Sequence, residues 1–197
     1  MPSLTPPAIP AGRLAASGQP VLPLEDSGLS LRPWTAADAP AVIAAYADPR
    51  IQYWHVRRVD NEAEARALIE RWRSAWAAES GAAWAIVRPN EGTDGDVVLG
   101  RIALRSIDTE QGRAELAYWV RPEARGNGVA GRALSAVRTW AFDEAGFHRL
   151  FLVHSTSNEA SCRVATKAGF ELEGVERSSL LHSDGWHDMH VHARIAD

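Results

Sequence analysis

Residues 113–144, RAELAYWVRPEARGNGVAGRALSAVRTWAFDE, run from an alternating strand pattern through a glycine-bearing turn into a helix. Gly126 and Gly128 precede that helix and Gly131 falls in its first turn. Glycine within a helix costs about 1 kcal/mol against alanine, so the bare backbone needs a reason. A helix start exposes unpaired N–H groups and the positive end of the helix dipole. Glycines ahead of it let a bulky anion approach with no Cβ in the way. The same glycines also suit an ordinary tight turn that needs positive φ. The P-loop motif G-x-x-x-x-G-K-[ST] is absent. Gly126, Gly128 and Gly131 do fall at G-x-G-x-x-G spacing, but the three consecutive strands ahead of them differ from a βαβ dinucleotide unit.

The rest of the chain sets this junction in a mixed α and β context. LSLRPW (29–34) reads as a first strand, and residues 35–47 as a helix capped by Thr35. A stronger helix spans 61–80, with Asn61 as cap, acids in the first turn and Ala67, Leu68, Trp72 and Trp76 on one side. Three consecutive strands follow at 82–89, 96–108 and 113–120, the first two joined by the turn-rich NEGTDG. After the glycine helix come a strand (148–155), a short helix ending at Gly169, and a closing hairpin around HSDG. The predicted order is β-α-α-β-β-β-α-β-α-β-β. Residues 1–27, rich in Pro, Ala, Ser and Gly, read as a flexible or loosely docked tail, leaving one domain over 28–197.

Composition narrows the partners. A net charge of −4 offers no basic face for nucleic acid. No apolar run approaches the ~20 residues of a membrane span, and the N-terminus lacks a signal-peptide core. Cys162 is the single cysteine, which fits a reducing cytoplasm. The eight tryptophans are expected mainly to pack the core.

The hexapeptide RGNGVA fits [Q/R]-x-x-G-x-[G/A], with Arg125, Gly128 and Ala130 at the defined positions. N-x-x-S-x-x-V-x-x-K-x-G-F runs from Asn158 to Phe170. With AELAYWV leading in and HRLFLVHS between, this combination resembles the Gcn5-related N-acetyltransferase (GNAT) superfamily. Within it the RimJ/RimL-like, ribosomal-protein-alanine acetyltransferase branch is the most similar. The resemblance implies an α+β fold: a central mixed, mostly antiparallel twisted sheet of about seven strands flanked by about four helices. It implies an acetyl-CoA-dependent N-acetyltransferase acting on a protein N-terminal α-amine or a small-molecule amine, as a monomer or homodimer. The other reading of the same fold is a non-catalytic acyl-CoA-binding module.

Residue by residue, the resemblance assigns Tyr118, Trp119 and Val120 to the pantetheine arm. It assigns the backbone of Arg125, Gly126, Asn127, Gly128, Val129, Ala130 and Gly131 to the pyrophosphate, with the Arg125 guanidinium as a cation at the mouth. Asn158 is an N-cap that also meets the arm. Ser161 is placed to protonate the departing thiolate. The family's basic glutamate falls at Leu180 here, a departure that leaves Glu115, on the face shared with Ala117 and Trp119, as the candidate base. Glu176 is a weaker candidate for the same task. Tyr53 and Trp54 are expected on the acceptor side. Arg132, Arg163 and Lys167 are candidates for the 3′-phosphate of CoA. Asp188, His190 and His192 share one strand face, a geometry open to a metal, as in a metal-dependent hydrolase, but no metal is expected. Cys162 is expected to be buried, not nucleophilic.

Overall fold

The computed structural model describes residues 4–90 and 95–197. Most of the NEGTDG turn lies outside the described residues. Among the described residues the chain forms eight strands and five α-helices. Strands β1 (Leu22–Leu24), β2 (Leu29–Pro33), β3 (Gly81–Pro89), β4 (Asp96–Asp108), β5 (Arg113–Val120), β6 (Arg149–Ser155), β7 (Glu171–His182) and β8 (Gly185–Ile195) make one sheet in the order β1-β2-β3-β4-β5-β6-β8-β7. Neighbours are antiparallel except β5 and β6, which run parallel. The crossover through helix α4 (Val129–Trp140) makes that parallel pair possible.

Both faces of the sheet are covered at its centre, whereas β7 at the edge is largely exposed. On β3, residues 81–87 are all buried. Ala82, Trp84 and Ile86 face the core shared with α4 and α5 (Glu159–Lys167). Ala83, Ala85 and Val87 face the core built with α1 (Ala39–Tyr46), α2 (Pro49–His55) and α3 (Glu62–Ala77). The unbroken apolar run of β3 is thus the pattern of a strand buried on both sides. In α3, Asn61 accepts the Glu64 N–H at 3.0 Å as expected. The buried stripe is Ala65, Leu68, Ile69 and Trp76, with Trp72 half-buried, whereas Ala67 is exposed. No helix among the described residues is long and apolar enough to cross a membrane.

The N-terminal stretch departs from the expected flexible or loosely docked tail. Ile9 is fully buried and Leu14 nearly so. Glu79 accepts the N–H groups of Gly12, Leu14 and Ala15. Trp84 Nε1 donates to Pro20 O at 2.8 Å, and β1 adds an edge to β2. A tryptophan N–H buried in the core needs an acceptor, and this segment supplies it. Helix α2 and strand β1 are the other elements absent from the sequence reading.

Candidate active site

Strand β5 pairs with β6 only over Arg113–Leu116 against Arg149–Leu152, yet β5 continues to Val120 and β6 to Ser155. The two strands therefore splay apart. Arg121 N–H bonds Leu99 O on β4 at 2.8 Å, and a Cβ on Gly100 would sit 2.6 Å from Trp119 O. Odd-numbered residues of β5 thus turn their backbone groups to β4, and strand alternation turns those of Tyr118 and Val120 into the gap. Their carbonyls accept from His55 Nε2 at 3.1 Å and Arg125 Nε at 3.0 Å. Trp119, grouped with them in the sequence reading, instead points its carbonyl at β4 and buries its ring 6.1 Å from Trp34.

The gap opens into a groove of ≈ 1960 Å³. At one end lies the start of α4. Gly128 caps it with φ +71°, and Gly126 has φ +81°, conformations that favour glycine. Gly131 is different. It sits inside the helix, and a Cβ there would meet nothing within 4 Å. Neither strain nor crowding requires glycine at this point; open space toward the groove is what it provides.

Of the sequence-predicted residues, Glu115, Tyr118, Trp119, Val120, Arg125, Gly126, Gly128, Val129, Ala130, Gly131, Asn158 and Ser161 all line this groove. Asn127 does not: it turns away, and its carbonyl accepts from Arg132. The Arg125 guanidinium is not a free cation at the mouth. It pairs with Asp48, the N-cap of α2, at 2.7 Å, and so ties the end of β5 to α2. Burial pushes the Asp48 carboxyl up, but the Arg125 guanidinium and the Ile51 N–H together hold it below its usual range. Asn158 caps α5 by accepting the Ser161 N–H at 3.1 Å. Trp54, Arg132, Arg163 and Lys167 also border the groove.

Strand alternation divides the chemistry between two sides. On the α5 side, Tyr118 O–H donates to Ser161 Oγ at 3.2 Å. Burial pushes the Tyr118 hydroxyl up to about 12, so it keeps its proton. This hydroxyl was missed in the sequence reading, which used only the backbone of Tyr118. The period-2 pattern could have found it, because Tyr118 faces opposite to Glu115, Ala117 and Trp119. His55 was missed as well; burial, with Arg101 next, pushes it down to about 4, leaving a neutral ring that donates through Nε2.

On the other side, Glu115 is ion-paired with Arg105. Leu180 borders the groove, and so does His182 two residues on, along the same strand face. Glu176 lies outside the groove lining, where its carboxylate accepts from Ser179 Oγ at 2.6 Å. His182 Nδ1 lies 3.0 Å from Tyr53 O. A carbonyl only accepts, so Nδ1 carries the proton and Nε2 keeps a lone pair, and Nε2 is buried with no hydrogen-bond partner. Beside it His187, stacked on His182 at 4.3 Å, links Asp184 Oδ1 (3.0 Å) to Ser155 Oγ (2.7 Å). Tyr53 O–H donates to the other Asp184 oxygen at 2.7 Å.

The face Asp188, His190 and His192, considered for a metal, does not act as one set. Asp188 accepts the Ser178 N–H, while His190 and His192 turn toward His154 and Cys162.

A mixed sheet opened between its two parallel strands, with a bare helix start at one end of the opening, is the architecture of an acyltransferase. The family model "Acetyltransferase (GNAT) domain" matches residues 29–171, and the chain belongs to that family. It is 29% identical over 173 residues to the uncharacterized N-acetyltransferase YoaA of Bacillus subtilis, covering 87% of this chain and 96% of that protein. It is 28% identical over 102 residues to the ribosomal-protein-serine acetyltransferase of Escherichia coli, covering 52% of this chain and 57% of that one. Among solved structures, the ribosomal α-N-protein acetyltransferase RimL in complex with coenzyme A superposes with a TM-score of 0.77 at 22% identity, over 90% of this chain and 99% of that one. The RimJ/RimL-like branch that the sequence resembles is thus present among its relatives.

Proposed function

We propose that this chain transfers the acetyl group of acetyl-CoA directly to a primary amine, a peptide N-terminus or a small-molecule amine, within a ternary complex. The observation that carries the reading is Gly131. It gives up helix stability, relieves no strain, and leaves the first N–H groups of α4 bare toward the groove. Those groups, from Val129 to Gly131, suit a pyrophosphate. The gap-facing backbone of Tyr118 and Val120 suits the pantetheine arm, which adds as a short strand would. Acetyl-CoA supplies an activated thioester; the residues do the proton work.

The incoming amine is protonated at neutral pH and must lose a proton before it attacks. His182 lines the groove, and its buried Nε2, which has no hydrogen-bond partner, takes that proton through an intervening water. Glu115, held by Arg105, is then an electrostatic anchor for the ammonium and not the base expected from the sequence. On the opposite side Ser161 O–H protonates the departing thiolate, and Tyr118 O–H, which donates to Ser161 Oγ, resupplies the proton. Assay of thiol release from acetyl-CoA with peptide and small amines tests this. His182→Gln should lower kcat about 10²-fold, in the range of a lost general base. Glu115→Gln should act mainly on KM for the amine. A kcat loss confined to Glu115→Gln would return the base to Glu115, and cofactor binding without turnover on any amine would favour a non-catalytic module.

A further inference from the structure

Beneath α5, on the side of the sheet away from His182, four side chains from three elements converge. They are His154 on β6, Cys162 on α5, and His190 and His192 on β8, with one ligand atom from each lying within 4.8 Å of all the others. His154 and His192 are buried, and Cys162 and His190 are half-buried. We propose that this cluster, with one thiolate and three imidazole ligands, is a tetrahedral metal site that takes Zn²⁺, in place of the absence of metal expected from the sequence.

The hydrogen bonds aim the ligand atoms. His154 Nδ1 lies 2.9 Å from Ser155 O, and His192 Nδ1 lies 3.2 Å from Phe170 O. Each carbonyl fixes the proton on Nδ1 and leaves the Nε2 lone pair for the cluster. A metal-bound histidine usually has its second nitrogen tied in this way, to a carbonyl or a carboxylate. His154 Nε2 and His190 Nδ1 are buried and have no partner. Two orphaned buried ring nitrogens within one cluster are costly unless a further group, such as a metal ion, takes up their lone pairs. His192 Nε2 and Cys162 Sγ stand 3.8 Å apart. With Zn–N near 2.0–2.1 Å and Zn–S near 2.3 Å, the N···S edge of a zinc tetrahedron is about 3.6 Å. Ligation replaces the Cys162 thiol proton, which passes to solvent, so the bound donors are a thiolate and three neutral imidazoles. Four protein ligands leave no open position, the mark of a structural ion. Such an ion would fasten α5, which carries Ser161 and is capped by Asn158, to β6 and β8 under the groove.

The test needs no acetyl transfer, so it stands apart from the proposed reaction. Full-length protein is stripped with chelator, then titrated with Zn²⁺ and, separately, with Co²⁺. The expected results are one ion per chain, a higher unfolding temperature with Zn²⁺, and slower Cys162 alkylation. Co²⁺ should give the visible bands of a tetrahedral site together with a thiolate-to-cobalt charge-transfer band. Cys162→Ser should lose the charge-transfer band and His190→Gln should weaken binding at least about tenfold, whereas His187→Gln, in the separate histidine pair, should leave both unchanged. Less than stoichiometric binding by wild-type protein, a cobalt spectrum without the thiolate band, or binding lost only in His187→Gln would overturn the proposal. Because the first two readouts use unmutated protein, misfolding of a variant cannot rescue it.

Discussion

Tyr118 joins the two halves of the site: its carbonyl faces the β5–β6 gap and its hydroxyl donates to Ser161. If the two hydroxyls form one proton path, their losses do not add. Ser161→Ala and Tyr118→Phe should each lower kcat about 10²-fold, and the double variant should fall little further. Multiplying losses in steady-state kinetics would show that they act separately. Because Tyr118 ionises only at about 12, it should put no alkaline limb on the rate profile below that pH. His55 gives a second prediction, on stability. Its proton affinity drops from an ordinary 6.5 to about 4 on folding. Between those values the folded protein binds fewer protons than the unfolded one, so the contribution is present above pH 6.5 and lost as pH falls toward 4. Denaturant unfolding across that window should show a steeper loss for wild type than for His55→Gln; equal slopes would contradict the assignment.

At the scale of elements, the N-terminal segment behaves as part of the core. Ile9→Ala should cost about 2–5 kcal/mol by denaturant unfolding, as for other fully buried isoleucines. A loss near zero would mean that the segment is not docked in solution. Glu79→Gln should speed hydrogen exchange at Gly12, Leu14 and Ala15, whose N–H groups it holds. The docking was illegible in sequence because Ile9 and Leu14 are isolated among turn-forming residues and the Leu22–Leu24 alternation spans only three residues. Their partners, Glu79, Trp76 and Trp84, lie far along the chain, on α3 and β3 and the turn between them. Helix α2 was missed for a related reason. It has seven residues, too few to show a period, and it is held by the Asp48 cap and the Arg125 pair. By contrast β3 to β6, α3 and α4 carry enough alternation or capping to be read directly, although α4 gives way to a π-helical turn at Ala141–Ala145.

Across the whole molecule, what was legible is what lies close together in the chain. The β5–turn–α4 unit and the Asn158 cap carry most of the expected cofactor-side residues, and these do line one groove. The acceptor side was legible only in part: Trp54 and Glu115 line the groove as expected, whereas Tyr53 lies outside its lining, and His182, on β7, joins the groove and bonds Tyr53 O on α2 only through the tertiary fold. The histidine–cysteine cluster has the same origin, since β6, β8 and α5 each supply part of it. The central claim is that the bare start of α4 and the open edge of β5 hold acetyl-CoA. Thermal unfolding of wild-type protein and Gly131→Leu, with acetyl-CoA, CoA or ATP, tests it most directly. Ligand at about 100 times its dissociation constant adds about 2.7 kcal/mol to the folded state. Wild type should be stabilised by acetyl-CoA and CoA but not by ATP, and Gly131→Leu, whose new side chain meets only open groove, should fold normally and lose that response. No shift with saturating acetyl-CoA, or an undiminished shift in Gly131→Leu, would contradict the account.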